Sequence, residues 1–147
     1  MRKGLFVGTF DPFTIGHESV VSRALGLFDL LVIGVGRNVV KNPTQSVEER
    51  VLAIERLYAN EPRIDVVAYD GLTADLARDC EAQYLVKGVR SVKDFEYERE
   101  QADINRRLTG IETILLPAEP GLDSVSSSLV RELQSHGYDV SEFLPHL

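Results

Sequence analysis

Gly4–His17 reads GLFVGTFDPFTIGH and shows the two patterns that alternate along this chain. A short apolar run, Leu5–Val7, stops at Gly8, and a turn-rich segment follows it. Thr14–His17 then opens a stretch with helical spacing. This order predicts a buried strand, a tight loop and a helix N-terminus, where unpaired backbone N–H groups and a partial positive charge favour phosphate. Because a histidine lies in the first helical turn, we predict a phosphate site with a proton donor beside it.

The same order of an apolar run followed by an amphipathic stretch recurs along the chain. The runs are rich in Val, Ile and Leu with little polar alternation, which is typical of strands covered on both faces. They are Leu5–Val7, Leu30–Val35, Ile64–Ala68, Tyr84–Val86 and Thr113–Leu116. We therefore predict an α/β fold, a doubly wound five-stranded parallel sheet with helices on both faces and right-handed crossovers. No repeat or linker interrupts residues 1–147, which predicts a single domain.

The amphipathic stretches predict the helices that separate these strands. Apolar side chains recur on one face of each stretch, and serine precedes two of them as a candidate N-cap. The first predicted segment opens at Thr14–His17 and has Val20, Val21, Ala24, Leu25 and Phe28 on one face. The others are a Ser46–Glu49 capping box before Val51–Tyr58, Leu72–Cys80, the long polar Asp94–Leu108, and a cap at Ser126 or Ser127 before Leu129–Leu133.

Composition and charge narrow the class of protein. The chain has 147 residues, 44% hydrophobic and 27% charged, which is ordinary for a soluble globular protein. The net charge of −7 argues against general nucleic-acid binding and against an anionic membrane surface, since both reward a basic footprint. One cysteine, Cys80, permits no internal disulfide, which fits a reducing compartment. No signal peptide or stretch of transmembrane length is present, so we expect a cytoplasmic protein.

In a doubly wound sheet the ligand lies beyond the carboxyl ends of the strands, where the strand order reverses. Three more loops at that end carry candidate phosphate-binding groups. The loop after the second strand contains Arg37 and Lys41, and Lys87–Arg90 places two cations past the fourth strand. Ser126–Ser128 opens the last helix with hydroxyls and free backbone N–H groups, a second phosphate cradle.

Each of these groups also has a plain structural interpretation. An isolated histidine at a helix start usually hydrogen-bonds its own loop, a loop lysine is usually solvated, and one serine is enough to cap a helix. Glu98 lies in an acidic helix start that dipole effects alone explain, or it binds a sugar hydroxyl. The surrounding Gly, Thr and Asp pattern favours a functional His17, while for Lys87–Arg90 and Ser126–Ser128 both interpretations stay open.

Several common chemistries are excluded by the motifs. The chain has no GxxxxGK[ST] segment, which excludes a P-loop NTPase, and no GxGxxG after its first strand, which disfavours a dinucleotide-dependent oxidoreductase. No serine, histidine and aspartate pattern resembles a nucleophile elbow. No His/Cys cluster marks a transition-metal site, so we assign no metal ligands to the protein.

Five motifs, in order, resemble the bacterial phosphopantetheine adenylyltransferases of the nucleotidylyltransferase superfamily, and they span almost the whole chain. Thr-x-Gly-His within the first motif marks only the superfamily, whereas DFEYE and SSSLV are much more specific to this family. The motifs are GTFDPFTIGH at Gly8–His17, VEER at Val47–Arg50 behind the Lys41 loop, KGVRSVKDFEYE at Lys87–Glu98, Asn105-Arg106 and SVSSSLVRE at Ser124–Glu132.

The resemblance implies a Rossmann-like nucleotidyltransferase that reversibly transfers the AMP moiety of ATP to 4′-phosphopantetheine, giving dephospho-coenzyme A and pyrophosphate in coenzyme A biosynthesis. It implies Mg²⁺ as cofactor, small-molecule substrates and a homohexamer. By motif position, the implied catalytic residues are His17, Lys41 and Arg90. The implied ATP-binding residues are Thr9, Phe10, His17, Gly88, Val89, Arg90, Glu98, Leu122, Asp123, Ser124, Val125, Ser126, Ser127 and Ser128. The implied phosphopantetheine-binding residues are Thr9, Lys41, Leu72, Thr73, Lys87, Ile104 and Asn105.

Three features depart from the usual pattern of that family. Lys87 stands where many members have arginine, so the charge is kept and the bidentate fork is lost. Glu119–Ser124 lacks the aromatic residue that many members place near adenine, so we expect adenine to rest on aliphatic groups and backbone. The sequence ends at FLPHL, where many members continue through another helix, which affects packing rather than chemistry.

Two other functions stay open from the sequence. Nucleotidyl transfer to another phosphate acceptor, such as nicotinamide mononucleotide or glycerol 3-phosphate, shares Thr14–His17 but leaves DFEYE unexplained. A non-catalytic nucleotide-binding module is disfavoured, because a silent relative has no chemical need for His17, Lys41 and Arg90 together.

Overall fold

The computed structural model describes residues 1–37 and 43–147, so Lys41 lies outside the described residues. Within them, strands and helices alternate in the predicted order, and a short 3₁₀ turn follows the last α-helix. The strands are β1 (Lys3–Gly8), β2 (Leu30–Gly36), β3 (Ile64–Tyr69), β4 (Tyr84–Val89) and β5 (Glu112–Pro117). The helices are α1 (Ile15–Ala24), α2 (Val47–Leu57), α3 (Thr73–Asp79), α4 (Val92–Thr109) and α5 (Ser127–Ser135), and the 3₁₀ turn spans Ser141–Phe143.

The strands form one parallel sheet in the order β3-β2-β1-β4-β5. The order reverses between β1 and β4, because the chain builds outward from β1 to β3 and then crosses to the other side. The β1–β2 ladder runs from Lys3–Leu30 to Gly8–Val35. Among the described residues the β1–β4 ladder stops at Phe6–Val86, although both strands continue. The two central strands therefore diverge, and a cleft opens between their carboxyl ends.

Helices cover both faces of the sheet, so the predicted doubly wound α/β fold is confirmed. On one face, α1 and α2 pack against a core that includes Phe6 and Ile33. On the other, α3 contributes Ala77 to a core that includes Leu5 and Val32. Successive residues of a strand point to opposite faces, so Leu5 and Phe6 enter different cores. Full burial of each such large apolar side chain contributes roughly 1.5–3 kcal/mol to stability.

Side-chain caps fix the residues at which helices begin. Thr14 Oγ1 accepts the backbone N–H of His17 at 3.4 Å, and Nδ1 of His17 accepts the N–H of Thr14 at 2.9 Å. This reciprocal pair is a capping box at the start of α1. The predicted box of Ser46 and Glu49 is confirmed at α2, and Ser126 caps α5.

The end of β4 differs from the sequence prediction. The strand continues to Val89, so Lys87 and Gly88 lie within it and not in a loop after Val86. The reason is packing: a Cβ on Gly88 would stand 2.9 Å from Cγ2 of Val20 on α1. The absence of a side chain at Gly88 therefore lets α1 pack closely against the sheet, and the glycine does not form a turn.

The outer elements are less buried than the sequence predicts. The apolar runs of β3 and β5 predict strands that are covered on both faces. In the structure these two strands lie at the edges of the sheet, and every residue in them is partly or largely exposed. α4 begins at Val92, two residues before the predicted start, because Ser91 supplies its N-cap. This helix has 18 residues and none of them is fully buried. No helix within the described residues is both long and apolar enough to cross a membrane.

Candidate active site

A cleft of about 290 Å³ lies at the carboxyl ends of β1 and β4, where the strand order reverses. Its walls are the loop after β1 with the start of α1, the end of β4 with the start of α4, and parts of the segment Ala118–Ser128. The N-termini of α1 and α5 meet at this cleft, and their unpaired backbone N–H groups favour an anion. The cleft is therefore the place that the topology predicts for the ligand.

A wider hollow of about 910 Å³ lies at the amino ends of the strands, around Arg2, Arg63 and Tyr84. Its two guanidinium groups already donate to backbone carbonyls, Arg2 to Leu27 at 3.1 Å and Arg63 to Leu25 at 3.3 Å. Its larger size does not make this hollow the candidate site, because it lies at the end of the sheet opposite to the helix N-termini. The smaller cleft is the candidate active site.

The cleft brings together most of the predicted ATP-binding residues and one residue of the predicted phosphopantetheine set, Lys87. The ATP-binding candidates in its lining are Phe10, His17, Gly88, Val89, Arg90, Glu98, Leu122, Val125, Ser126, Ser127 and Ser128. Thr9, Asp123 and Ser124 adjoin that lining in the chain but are not part of it. Their roles toward ligand stay predictions.

Four of the other predicted phosphopantetheine residues, Leu72, Thr73, Ile104 and Asn105, are not part of this lining. Leu72 precedes α3 and is 60% exposed, and Ile104 on α4 is 50% exposed. Thr73 Oγ1 lies 3.5 Å from the hydroxyl of Tyr69, and the carbonyl of Asn105 accepts a hydrogen bond from within α4. These four positions lie on α3 and α4 or at their ends, so their predicted contacts require a ligand that extends beyond the cleft described above.

One nitrogen of the His17 imidazole is already engaged by the protein. Nδ1 accepts the backbone N–H of Thr14 at 2.9 Å and lies 3.2 Å from Thr14 Oγ1. A neutral imidazole whose Nδ1 accepts a hydrogen bond carries its proton on Nε2. Because His17 lines the cleft, the group it can offer to a ligand is an N–H donor. This arrangement fits stabilisation of a phosphate oxygen and does not fit a general base.

Aromatic rings keep this imidazole neutral. The ring centroids of Phe10, Phe13 and Phe6 lie 4.9, 5.2 and 6.3 Å from that of His17. Burial, and secondly the positive charge of Arg90, lowers the pKa of His17 from 6.5 to about 4. Near neutral pH the ring therefore remains an uncharged donor.

Two predicted cations of the cleft stand against carboxylates. Lys87 Nζ lies 3.5 Å from Oε2 of Glu98, and Arg90 Nε lies 3.6 Å from Oδ2 of Asp94. Oε2 of Glu98 is buried and accepts no hydrogen bond from the described residues, so the ammonium of Lys87 is the group that offsets its charge. The cleft therefore contains the cations that a polyanion needs, each paired with a carboxylate, although the net charge of the chain is −7.

The three serines at the start of α5 have separate partners. Ser126 Oγ accepts a backbone N–H three residues further on, at 3.1 Å. Ser127 Oγ donates to the carbonyl of Pro12 at 2.7 Å, which connects α5 to the loop after β1. Ser128 Oγ accepts from Arg131 Nη2 at 3.3 Å. The hydroxyl protons of Ser126 and Ser128 and the backbone N–H groups at the first two positions of α5 therefore remain for an anion.

Sequence reasoning assigned no ligand role to several polar residues of the cleft lining. Arg23 on α1 donates through Nη1 to the carbonyl of Pro117 at 2.7 Å, and its Nε lies 3.6 Å from Glu119 Oε1. Helical spacing gave no signal for it, because Arg23 is six residues after His17, which places it about 120° away around the helix. The polar lining residues without a predicted ligand role include Ser19, Arg23, Asp94 and Glu119.

The family model described as cytidylyltransferase-like matches residues 5–133. The chain is 57% identical to the phosphopantetheine adenylyltransferase of Bacteroides thetaiotaomicron over 145 residues, which are 99% of this chain and 96% of that protein. It is 59% identical to the phosphopantetheine adenylyltransferase of Phocaeicola vulgatus with the same coverage. For the protein of the same name from Flavobacterium johnsoniae, the identity is 41% over 99% of this chain and 95% of that protein.

Solved structures with low sequence identity share the fold. A bifunctional NMN adenylyltransferase/ADP ribose pyrophosphatase from Francisella tularensis, complexed with AMP and Mn ion, aligns with a TM-score of 0.69 at 15% identity. That alignment covers 97% of this chain and 44% of the other. A lipopolysaccharide core biosynthesis protein from Thermoplasma volcanium aligns with a TM-score of 0.59 at 20% identity, over 81% of this chain and 97% of the other.

Proposed function

The chain belongs to the phosphopantetheine adenylyltransferases, within the cytidylyltransferase-like family, and we propose that its cleft binds ATP, whose AMP moiety is transferred to 4′-phosphopantetheine. The protein is an adenylyltransferase of coenzyme A biosynthesis. It moves the AMP moiety of ATP to the phosphate of 4′-phosphopantetheine and reverses that step, with dephospho-coenzyme A and pyrophosphate as products. The observation that carries this function is the identity to the curated relatives over almost the full length of both chains.

The reaction needs no nucleophile from the protein. A phosphate oxygen of 4′-phosphopantetheine attacks the α-phosphorus of ATP, a new P–O bond forms, and the bond to the bridging oxygen breaks as pyrophosphate leaves. Catalysis therefore consists of holding two polyanions in line and stabilising charge on the oxygens of the α-phosphate. A neutral donor such as Nε2–H of His17 suits that task, because it stabilises developing charge without taking up a proton.

The cleft offers separate groups for the two ends of the reacting system. We assign Arg90 and the N-terminus of α5 to the phosphates of ATP, and Lys87 to the phosphate of 4′-phosphopantetheine. Lys41 has its proposed place between the two substrates by motif position alone. Ligand phosphates would compete with Glu98 and Asp94 for their cationic partners, which lie 3.5 and 3.6 Å away.

We propose that Mg²⁺ enters with ATP and not as a resident metal of the protein. No group of three or more His, Cys, Asp and Glu side chains within the described residues could hold a metal ion. Mg²⁺ is commonly held by substrate phosphates and water with few protein ligands. Bound in that way, it would neutralise part of the phosphate charge. The test is to remove Mg²⁺ with a chelator, to add it back, and to measure product formation in each case.

The test of the function is a panel of acceptors with one readout. Purified protein is incubated with ATP, Mg²⁺ and either 4′-phosphopantetheine, nicotinamide mononucleotide or glycerol 3-phosphate, and pyrophosphate release is followed. We expect pyrophosphate release with 4′-phosphopantetheine and not with the other two acceptors. Mass spectrometry should detect dephospho-coenzyme A in the same reaction. Folded protein that releases no pyrophosphate with this acceptor, or that prefers another, would contradict the proposal.

We also propose a cytoplasmic location and a homohexamer, both from the family resemblance. Support for self-association comes from apolar side chains that α4 leaves at the surface: Tyr97 is 60% exposed and Leu108 is 52% exposed. Light scattering on the purified chain tests the hexamer, with the mass of one chain as the contrary result. Fractionation of the source cell tests the location.

A further inference from the structure

The largest fully buried side chain among the described residues is a charged one, Arg50 of α2, which is 2% exposed. Burial of a guanidinium is costly unless its N–H groups are hydrogen-bonded. Nη1 of Arg50 donates to the carbonyls of Thr9 at 2.7 Å and Gly36 at 3.0 Å. Its Nε is shared between the carbonyls of Gln45 at 3.1 Å and Ser46 at 3.3 Å. Arg50 thus connects the ends of β1 and β2 to the segment that leads into α2.

A second buried charge, Asp11, holds the same segment from the loop after β1. Its side chain is fully buried, and its Oδ2 accepts the backbone N–H of Thr44 at 2.8 Å while Oδ1 accepts that of Gln45 at 3.0 Å. Gln45 is therefore fixed at both backbone groups, its N–H by Asp11 and its carbonyl by Arg50. From the other side, Arg131 of α5 donates to the carbonyl of Asp11 at 2.6 Å.

These hydrogen bonds surround a residue with a strained backbone. Phe10 has a φ of 53°, in the left-handed region that non-glycine residues seldom adopt, at a cost of about 1–3 kcal/mol. The carbonyl before it accepts from Arg50 and the carbonyl after it accepts from Arg131. Its ring packs edge-on against His17, with centroids 4.9 Å apart and planes at 87°. The conformation of this turn therefore sets one wall around the imidazole.

We propose that Arg50, supported by Asp11, is a positioning residue for His17 that acts through the strained turn at Phe10. The inference rests on the adenylyl transfer proposed above. Arg50 itself is not part of the cleft lining. Its effect on the reaction passes through the backbone of the turn to the aromatic wall, and from there to the direction of the Nε2–H bond of His17.

A purely structural role for Arg50 makes a different prediction. Loss of the hydrogen bonds from Arg50 to backbone carbonyls lowers stability in both cases, so a stability measurement does not distinguish a structural role from a positioning role. A structural residue leaves kcat of the molecules that remain folded unchanged. A positioning residue lowers kcat with little change in either KM, because the misplaced group acts mainly in the transition state.

The test uses Arg50→Lys, which keeps the charge and removes the fork that reaches several carbonyls. We expect kcat to fall roughly 10- to 100-fold, with KM for both substrates within about threefold of wild type. The matched control is Arg56→Lys, the same substitution on the exposed side of the same helix, and it should leave kcat unchanged. An unchanged kcat for Arg50→Lys in folded protein overturns the proposal.

A double-variant cycle identifies His17 as the group through which Arg50 acts. On a His17→Asn background, Arg50→Lys should lower kcat less than about twofold further, because the donor that it positions is gone. A full additional loss on that background overturns the proposal. If Arg50→Lys does not fold at the assay temperature, Asp11→Asn carries the same comparison, since an amide keeps one acceptor for the 44–45 segment.

The experiment separates this inference from the proposed function. A wild-type protein that releases no pyrophosphate refutes the function itself, whatever the variants do. An active wild type with additive or absent effects of Arg50→Lys refutes the positioning role and leaves the function intact.

Discussion

Replacing His17 by asparagine separates the two roles of this side chain. The Oδ1 of asparagine occupies the position of Nδ1 relative to the backbone, so it can still accept the N–H of Thr14 that closes the capping box. The substitution removes the Nε2–H group altogether. The cap at the start of α1 is therefore kept while the donor on the cleft is lost.

The expected cost follows from the chemistry of that donor. Removing one preorganised donor to developing charge typically lowers kcat about 100- to 1,000-fold, or about 2.7–4 kcal/mol of barrier. Because the other phosphate-binding groups remain, we expect KM for ATP and 4′-phosphopantetheine to change less than about threefold. Loss of the ring contacts with Phe10 and Phe13 should lower stability by about 1–2 kcal/mol.

The assay is initial-rate pyrophosphate release over a grid of both substrates, with urea unfolding to measure stability. His17→Ala should lose as much activity and about 1 kcal/mol more stability, since it also removes the cap. His136→Asn is the matched control, because this histidine is exposed beyond the end of α5 and lies outside the cleft lining. A His17→Asn enzyme that keeps kcat within about fivefold of wild type refutes the donor role.

Three further predictions follow from the same contacts. The pH dependence of kcat should show no ionisation of His17 between pH 5 and 8. Urea unfolding should show a free energy of unfolding that falls as the pH is lowered from 6.5 towards 4. In that range the unfolded chain binds a proton at this histidine, whereas the folded ring, with its pKa of about 4, stays unprotonated. A kcat midpoint near pH 6.5 that His17→Asn abolishes would contradict this. Lys87→Met should cost about 1–3 kcal/mol in urea unfolding and raise KM for 4′-phosphopantetheine, since it leaves Glu98 without its cation; equal loss in Lys87→Met/Glu98→Gln would argue against the pair. Ser126→Ala should cost about 1 kcal/mol in the same unfolding assay, because it removes the α5 cap, while Ser135→Ala at the other end of α5 serves as control.

The sheet could be predicted from the sequence because its central strands carry an unambiguous signal. Leu5–Val7 and Leu30–Val35 are apolar without interruption, and the capping box at Ser46 announces the second helix. The predicted ends of strands were wrong where a residue type is typical of two different structures. Gly88 next to two cations resembles a turn, yet it lies in β4 because α1 packs against it through Val20. Periodicity contains no information on which helix approaches a glycine.

The site could be predicted only as far as loops at one sheet edge imply a shared ligand. His17, Arg90 and Ser126–Ser128 do line one cleft. The sequence could not show that Nδ1 of His17 is used by the capping box, because that depends on a rotamer and not on spacing. Nor could the sequence show that Arg23 lines the cleft, since a lone arginine on a helix usually lies at the surface.

The charges of the cleft are arranged in pairs before any ligand binds. Lys87, Arg90 and Arg23 each lie within 3.6 Å of a carboxylate oxygen. The pairs of Arg90 and Arg23 are partly exposed and contribute little to stability, about 0–1 kcal/mol each. Exchanging a carboxylate partner for a phosphate is therefore inexpensive, and the acidic protein as a whole can still attract a polyanion at this one place.

Beyond Phe6 and Val86, where β1 and β4 diverge, Val7, Gly8 and Gly88 border the cleft, and the two glycines present only main chain. Every residue type except proline has both main-chain groups, so nearly all point mutations leave them in place. An inhibitor that binds these strand edges would keep its contacts in variants that change the polar side chains. Escape would need bulk at one of the glycines, where a new Cβ would stand 2.9 Å from a core side chain. Drug resistance at this edge therefore carries a penalty in folding, typically about 1–3 kcal/mol for an overpacked core.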